Sequence, residues 1–353
     1  MLKNYLTAEQ SGEEILSIVD AVRGGIPSAV FGVTLAEKCH VASATGLPAL
    51  YIVKDGVYAS KIVEELKGLT GEEVVYLPPK DDVLLFKTAF EKSRFYERLS
   101  AIYKIQRGAK YVVATFESLL QLFPKKIPTV EIKRGQSLDP YSLISVLTKM
   151  GYRREEFAEE KATFALRGDI FEIYPVNGDN IYRVDFFGDE VETVTEYEKG
   201  DKEEKTIVSG FTAIAATDAI IDENERQTVK DRLRESVLKF KTLAVKDDAR
   251  RIAAEISEKI DDGACDDSFQ FILPILPSVT SDILSYMSPE TVIVYDECKM
   301  LSDSLSALIK EHTERVLTLS RAGRAMDFTI LQLSDSNRLI ERLNGFRRMA
   351  LQN

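Results

Sequence analysis

The first third of the chain alternates between apolar runs and amphipathic stretches. Four runs have the length and composition of buried strands: SAVFGV (28–33), ALYIV (49–53), EVVYL (73–77) and KYVVAT (110–115). Stretches with helical spacing separate them. Another such stretch precedes the first run at 11–24, with Ser11 and Glu14 at capping-box spacing and Gly24 and Gly25 at its end. Alternating strands and helices predict a parallel α/β sheet.

The pattern changes from about residue 128, where short alternating segments replace the long runs. A predicted helix over 138–150 leads into TFALRG, DIFEIYP, IYRVDFF and EVETVTEY. Turn signals at Asn177-Gly178 and Gly188-Asp189 divide these strands. The pattern therefore predicts that this segment is an inserted α+β domain with an antiparallel strand meander.

After the charged loop EKGDKEEK (198–205), the chain returns to a mixed α/β pattern. It predicts helices near 222–240 and 246–261, a strand at 291–296 and a helix after Leu301. We therefore predict one α/β domain split by an insertion. Its first half is 1–125, the insertion is 126–207, and its second half is 208–353.

FGVTLAEKCH (31–40) is close to a phosphate-binding loop but departs from it at two positions. Gly32 and Lys38 fall where a G-x-x-x-x-G-K-[ST] loop keeps its first glycine and its lysine, whereas Glu37 replaces the second glycine and Cys39 the hydroxyl residue. A Cβ at the second glycine obstructs the backbone path, a carboxylate repels a polyphosphate, and sulfur is a poor ligand for Mg²⁺. Three interpretations are open: an ordinary strand, turn and helix with a solvated lysine, a working ATP site, or an ATPase fold that has lost its ATP site.

A second motif favours the third interpretation. In TVIVYDECK an apolar strand ends at Asp296 and Glu297, the place of a Walker B pair, in which the Asp helps to hold Mg²⁺ and the Glu orients water. Acidic residues often follow strands, so the pair alone says little. With the loop disabled, we interpret Gly32, Lys38, Asp296 and Glu297 as remnants, and we expect no catalytic residue, no cofactor and no metal site in this chain.

Composition narrows the classes of function. The 353 residues are 44% hydrophobic and carry 57 acidic against 46 basic side chains, a net charge of -11. Such a surface repels polyanions, so nucleic-acid binding needs a local basic patch. Three dispersed cysteines and two histidines argue against a zinc site or a disulfide framework. No apolar run approaches the roughly 18 residues of a membrane span, and we expect a cytoplasmic protein without a membrane partner.

Strand alternation in the insertion predicts a candidate binding face. The core face takes every second residue of TFALR and IYRVDFF: Phe164, Leu166, Tyr182, Val184 and Phe186. If the two strands share a sheet in matching register, the opposite face brings together Arg167, Arg183 and Phe187. An aromatic with two arginines matches the composition of interface hot spots. In the alternative, Phe187 covers a strand end and the arginines pair with neighbouring carboxylates: Asp169, Glu172 and Asp185.

Three blocks, in this order, resemble a known family: GVTLAEKC, then LRGDIFEIYP with YRVDFFGDEVETV, then SDILSYMSPETVIVYDECKML. The order resembles the excision-repair protein UvrB, and still more the UvrB-homology module of the transcription-repair coupling factors (Mfd). In UvrB the loop is intact and the acidic motif ends in Ser-His. Here the loop is broken and the motif continues with Cys298 and Lys299, as the resemblance to the coupling factors implies.

The resemblance implies a degenerate RecA-like or P-loop-like domain in which 126–207 is an inserted UvrA-binding domain, with Arg167, Arg183 and Phe187 on the binding surface. It implies an interaction module with UvrA as partner and no nucleotide hydrolysis of its own. A complete coupling factor also has an RNA-polymerase-binding domain, motor domains that use ATP and Mg²⁺ on DNA, and a C-terminal domain that masks the UvrA surface. None of these fits here, so we expect an N-terminal fragment. The alternative is a UvrB-like ATPase or damaged-DNA-binding repair protein that retains nucleotide binding.

Overall fold

The structure is a computed structural model that describes residues 12–81, 84–85, 90–201, 204–240, 243–263 and 267–353. The helix predicted first is present as α1 (Glu13–Arg23). Ser11, one half of its predicted capping box, and Cys265 lie outside the described residues. In the part of the chain that is described, no helix is long and apolar enough to cross a membrane.

The first part of the chain forms the four predicted strands with helices between them, followed by a short helix and two strands that the pattern does not predict. They are β1 (Ser28–Val30), α2 (Leu35–Ala44), β2 (Ala49–Val53), α3 (Gly56–Thr70), β3 (Val74–Leu77), α4 (Lys92–Gln106), β4 (Tyr111–Thr115), α5 (Phe116–Leu120), β5 (Phe123–Pro124) and β6 (Thr129–Lys133). The first strand is shorter than SAVFGV, because the backbone leaves the extended region at Gly32, whose φ is +74°.

The middle part contains one helix and a run of short strands. They are α6 (Pro140–Lys149), β7 (Arg153–Arg154), β8 (Thr163–Arg167), β9 (Ile170–Tyr174), β10 (Asn180–Phe187), β11 (Glu190–Glu198), β12 (Thr206–Ile207) and β13 (Gly210–Ile214). The sheet order β12-β11-β10-β9-β8-β7 is that of a meander. Its pairs are antiparallel except β7 with β8, which are parallel.

The last part returns to longer helices. It contains α7 (Arg226–Leu238), α8 (Leu243–Asp261), β14 (Val279–Thr280), β15 (Val292–Asp296), α9 (Cys298–Arg321), α10 (Ser336–Asn344) and β16 (Arg347–Leu351). Single-turn or short 3₁₀ segments connect them: Glu223–Glu225, Asp267–Ile275, Ile283–Tyr286 and Thr329–Gln332.

One parallel sheet unites the two ends of the chain. Its order is β1-β16-β15-β2-β4-β3, and every neighbouring pair is parallel. Helices cover both faces, since alternate residues of the fully buried β2 enter two different cores. Leu50 packs with α4, whereas Tyr51 packs with α3. The fold is therefore the predicted α/β sheet, with the antiparallel sheet built from the residues between β4 and β15.

The strand pair β6 and β13 stands where the chain enters and leaves the antiparallel sheet. The two strands pair from Thr129 with Ile214 to Lys133 with Gly210. Phe211 of β13 stacks on Tyr182 of the meander, with ring centroids 4.1 Å apart, and so joins the pair to the inner face of the meander. The boundaries at 126 and 207 stay a prediction, because the pair extends beyond them on the C-terminal side.

Gly210 should be essential for this junction. A Cβ built there meets the carbonyl oxygen of Ile132 at 2.3 Å and the Cα of Lys133 at 3.0 Å. Gly210→Ala is therefore expected to lower the free energy of unfolding by about 1–3 kcal/mol, the usual cost of overpacking. Urea denaturation followed by circular dichroism measures it. Gly178→Ala is the matched control, because nothing lies within 4 Å of its Cβ, and equal stability of the two variants would contradict the prediction.

Candidate functional site

The degenerate loop lies at the carboxyl edge of the parallel sheet, where such folds bind ligands. It leaves β1 at Val30 and enters α2 at Leu35. The chain end of β16 holds the loop, since the N–H of Gln352 donates to the Val30 carbonyl and the N–H of Val33 donates to the Gln352 carbonyl, at 2.9 and 3.1 Å. Asp296 ends β15, so the two sequence remnants meet at one edge.

Lys38 is buried and bonded to both acidic residues. Its Nζ lies 2.8 Å from Oδ1 of Asp296 and 2.5 Å from Oε1 of Glu297. The interpretation of a solvated lysine is therefore wrong: its side chain is 3% exposed. We call Lys38, Asp296 and Glu297 the ion triad.

The backbone holds Glu297 in an unusual conformation to complete the triad. Its φ is +60°, in the left-handed region that side chains other than glycine rarely adopt. Its N–H donates to the Leu351 carbonyl at 3.0 Å, and the N–H of Asn353 donates to its Oε1 at 2.8 Å. A strained residue of this kind persists only where surrounding contacts fix it, and here the bonds to Lys38 and β16 do so.

The pKa values of the triad show opposing influences. Burial raises the pKa of Asp296 above its ordinary value, and the Lys38 ammonium only partly offsets this. Burial acts to lower the pKa of Lys38, but its two carboxylate partners outweigh that and raise it. For Glu297, burial is outweighed by the bonds from Lys38 and Asn353, which lower the pKa. Burial and ion pairing thus act in opposite directions on each of the three groups.

Glu37 is not aimed at the triad. Its carboxylate turns back to Thr34 and accepts from the backbone N–H at 2.7 Å and from the hydroxyl at 2.8 Å, so it caps the first turn of α2. These bonds lower the pKa of the Glu37 carboxyl. The residue that breaks the loop pattern thus has a local structural role, and it places a negative charge where a loop of this kind meets phosphate.

Cys39 is fully buried in the core on the α3 side of the sheet, and burial raises the pKa of its thiol. A neutral thiol in this position offers Mg²⁺ neither charge nor a hard oxygen. Together the triad and Glu37 carry three carboxylates against one ammonium. An incoming polyphosphate would meet net negative charge and would have to displace two carboxylates from Lys38.

The meander brings Arg167, Arg183 and Phe187 to one face, as the alternation predicts. Strand β9 lies between β8 and β10. Across β9 and β10, Arg183 is opposite Glu172, and Asp185 is opposite Ile170. Across β8 and β9, Arg167 is opposite the same Ile170. The core-face residues point the other way and are buried or half-buried: Phe164, Leu166, Tyr182, Val184 and Phe186. We call the side with the arginines the outer face.

Carboxylates on the same face hold both arginines. Arg183 donates to Asp185 from Nε and Nη2, at 3.1 and 2.8 Å from Oδ1, and Thr193 donates to the other oxygen of Asp185 at 3.0 Å. Asp185 raises the pKa of Arg183. Arg167 bonds Glu172 at 2.5 Å. The alternative that the arginines pair with neighbouring carboxylates is thus correct for Asp185 and Glu172. The arginine side chains are partly exposed, at 29% for Arg183 and 37% for Arg167.

Phe187 stands at the end of the outer face and is 80% exposed. The register shifts after Asp185, so that Phe186 pairs with Val191 and Phe187 with Glu190, and the strand pair ends there. The extra residue of this bulge is Glu192 of β11, so Phe187 keeps the alternation of β10 and occupies its last pair before the turn. An aromatic side chain this exposed covers no strand end, and the simple capping interpretation of Phe187 is wrong.

Two apolar side chains on this side were missed in the sequence. Phe157 lies under the Arg167 guanidinium at 4.5 Å, and Arg167 also donates to the carbonyl of Glu156. Ile207 of β12 is 67% exposed and is opposite Thr195, which is opposite Arg183. Phe157 sits in an acidic stretch without periodicity, and Ile207 follows a charged loop, so neither carries a strand signal.

Among the described residues no group of three His, Cys, Asp or Glu side chains is placed to hold a metal ion. Two features thus define the described part of the molecule: a parallel sheet with the ion triad at its carboxyl edge, and an inserted sheet whose outer face carries two arginines and, at its end, the exposed Phe187. This is the UvrB-like class of fold that the sequence predicts, a parallel sheet divided by an inserted antiparallel sheet.

Comparison with known proteins agrees with that class. Residues 130–218 match the model of the UvrB interaction domain. The chain is similar to the transcription-repair-coupling factor of Bacillus subtilis, with 22% identity over 92% of this chain and 29% of the relative. It is similar to that of Myxococcus xanthus as well, with 22% identity over 87% of this chain and 27% of the relative. It is also similar to the UvrABC system protein B of Thermotoga neapolitana, with 24% identity over 68% of this chain and 41% of the relative. The chain thus spans less than a third of the length of the coupling factors it matches.

Removal of the lysine tests the ion triad. Lys38→Met leaves two carboxylates without their shared cation and is expected to lower the free energy of unfolding by about 3 kcal/mol at pH 7. The deficit should shrink as the pH falls towards about 4, because protonation of the carboxylates then relieves their repulsion. Urea denaturation at several pH values measures both effects.

The control for this variant removes all three charges. Lys38→Met combined with Asp296→Asn and Glu297→Gln should recover most of the lost stability, since no charge is then left unpaired. If the single and triple variants were equally unstable at pH 7, the triad would not be held by charge.

Proposed function

We propose that this chain is a non-enzymatic interaction module of nucleotide excision repair that recruits UvrA through the outer face of its inserted sheet. The observation that carries the proposal is the exposure of Phe187 on the same face as two anchored arginines, within the segment that matches the UvrB interaction domain. Similarity to coupling factors and to UvrABC system protein B supports a role in repair for the chain as a whole.

The outer face has the physical properties of a hot spot. Phe187 offers a large apolar surface that a partner can bury, and arginine is enriched among the residues that dominate interface energies. The ion pairs to Asp185 and Glu172 fix the two arginines before binding, which lowers the ordering cost of association. A guanidinium has five N–H donors, so an arginine held by one carboxylate still has donors for a partner.

We further propose that the chain does not hydrolyse nucleotide. The ion triad engages the Lys38 ammonium that a phosphate-binding loop directs at phosphate, and Glu37 adds negative charge beside it. The parallel sheet then acts as a scaffold for the inserted sheet. In a complete coupling factor, RNA polymerase and DNA would be contacted by other domains, and a C-terminal domain would mask the outer face until it is needed.

Alanine substitutions on the outer face should weaken UvrA binding. Phe187→Ala is expected to cost about 2 kcal/mol, roughly a thirtyfold rise in Kd, because the aromatic becomes buried in the complex. Arg183→Ala should have an effect of similar size. Isothermal titration of the chain with purified UvrA measures both.

Tyr141→Ala is the matched control for Phe187. Tyr141 is also an exposed aromatic, at 75%, but it lies on α6, whose buried residues pack against the core face of the meander. It should leave the Kd unchanged. Unaltered UvrA binding by Phe187→Ala and Arg183→Ala would refute the site.

A nucleotide titration separates this proposal from the UvrB-like ATPase. Mg-ATP at millimolar concentration should leave the melting temperature unchanged, because ligand binding to the folded state alone would raise it. A reproducible rise that Lys38→Met abolishes would restore the ATPase alternative. Intact UvrB, whose loop is complete, serves as the positive control.

A further inference from the structure

The outer face has a buried carboxylate at its centre. Glu172 of β9 lies between β8 and β10, opposite Ala165 on one side and Arg183 on the other. Its side chain is only 9% exposed, and both of its oxygens accept hydrogen bonds. A buried carboxylate needs bonding partners to offset its lost hydration, and those of Glu172 come from two other strands, β8 and β11.

The two oxygens of Glu172 join a partly exposed arginine to a buried tyrosine. Oε2 accepts from Nη2 of Arg167 at 2.5 Å, and Oε1 accepts from the hydroxyl of Tyr197 at 3.1 Å. Burial and the neighbouring Glu172 raise the pKa of Tyr197 to about 12, so its hydroxyl keeps the proton that it donates. We call Tyr197, Glu172 and Arg167 the Glu172 network.

Residues 156–158 hold both ends of the Glu172 network. Arg167 lies over the ring of Phe157 at 4.5 Å and also donates to the Glu156 carbonyl. At the other end, Tyr197 packs in a small buried core whose remaining members are Ala158, Tyr174 and Ile181. A carboxylate, a carbonyl and an aromatic ring thus fix Arg167, although its side chain is 37% exposed.

We propose that Glu172 and Tyr197 are positioning residues for UvrA recruitment, which hold Arg167 in the orientation that the partner binds. This inference rests on the proposed function. Both residues are buried, Tyr197 with only 4% of its surface exposed, so they act on a partner through Arg167. An arginine that is ordered before association loses less rotamer freedom on binding, and its guanidinium still has donors beyond the two used here.

Tyr197→Phe tests the proposal directly, because it removes only a hydroxyl that lies inside the protein. It should raise the Kd for purified UvrA about threefold, and Glu172→Gln, which keeps the shape but removes the charge, should raise it about tenfold, as expected when one side chain loses its order. Isothermal titration measures both effects, and circular dichroism verifies that each variant is folded.

Tyr152→Phe is the matched control. Its hydroxyl is also buried and donates to the Ile214 carbonyl at 2.8 Å, but it lies in the core on the other side of the inserted sheet. The same chemical change there should leave the Kd for UvrA unchanged. A rise equal to that of Tyr197→Phe would mean that any buried hydroxyl matters, and it would overturn the proposal.

Double variants separate positioning from a general loss of structure. In an Arg167→Ala background, Tyr197→Phe and Glu172→Gln should no longer change the Kd, because the residue through which they act is absent. In a Phe187→Ala background they should keep their effect. Additive effects with Arg167→Ala, loss of the effect in both backgrounds, or an unchanged Kd for both folded single variants would overturn the proposal.

The same titrations distinguish this proposal from the proposed function. If the unaltered chain binds UvrA and Arg167→Ala weakens that binding, recruitment through the outer face stands whatever the result for Glu172 and Tyr197. If the unaltered chain does not bind UvrA, or if Arg167→Ala binds equally well, recruitment through this arginine is refuted, and the positioning role is refuted with it.

Discussion

The structure depends on the return of the chain to complete its parallel sheet after the insertion. Strand β15 pairs with β2 from Val292 with Ala49 to Tyr295 with Ile52, across more than 240 intervening residues. Contacts between residues so distant in the chain are slow to form and are worth little until their neighbours are in place. The ion triad secures this pairing at its carboxyl end, since Lys38 belongs to the first half and both carboxylates to the second. In an intact loop the lysine contacts nucleotide phosphate, whereas Lys38 here forms ion pairs within the protein.

A second buried cluster joins the halves on the other side of the sheet. Lys80 donates to Asp218 and Gln270, both at 2.8 Å, and its backbone pairs with the side chain of Gln121. Asp218 lies shortly after β13, so the cluster fixes the chain just beyond the strand pair of β6 and β13. Fully bonded buried polar groups of this kind specify one arrangement, because any alternative leaves charges without partners. The inserted sheet is therefore held on a rigid base.

On the outer face, residues proposed for binding also have structural partners. The carboxylates that neutralise Arg167 and Arg183 also orient them, and Phe187 is exposed at the last pair of its strand, next to the turn. Sheet edge and sheet face are thus two distinct surfaces, and at the sheet edge Lys38 is bound to two carboxylates of the same chain.

The sequence by itself determined the order of strands and helices, the split of the α/β domain by a meander, and the residues of the outer face. Periodicity carries that information, because burial of one face imposes a period of two on strands and about 3.6 on helices. The sequence showed that the loop departs from the phosphate-binding pattern at Glu37 and Cys39, but it did not show the surroundings of Lys38. Only the tertiary structure decided that this lysine is buried between Asp296 and Glu297, and that Phe157 and Ile207 flank the arginines. The physical reason is that ion pairing and register join residues far apart in the chain, and no local pattern records such a contact.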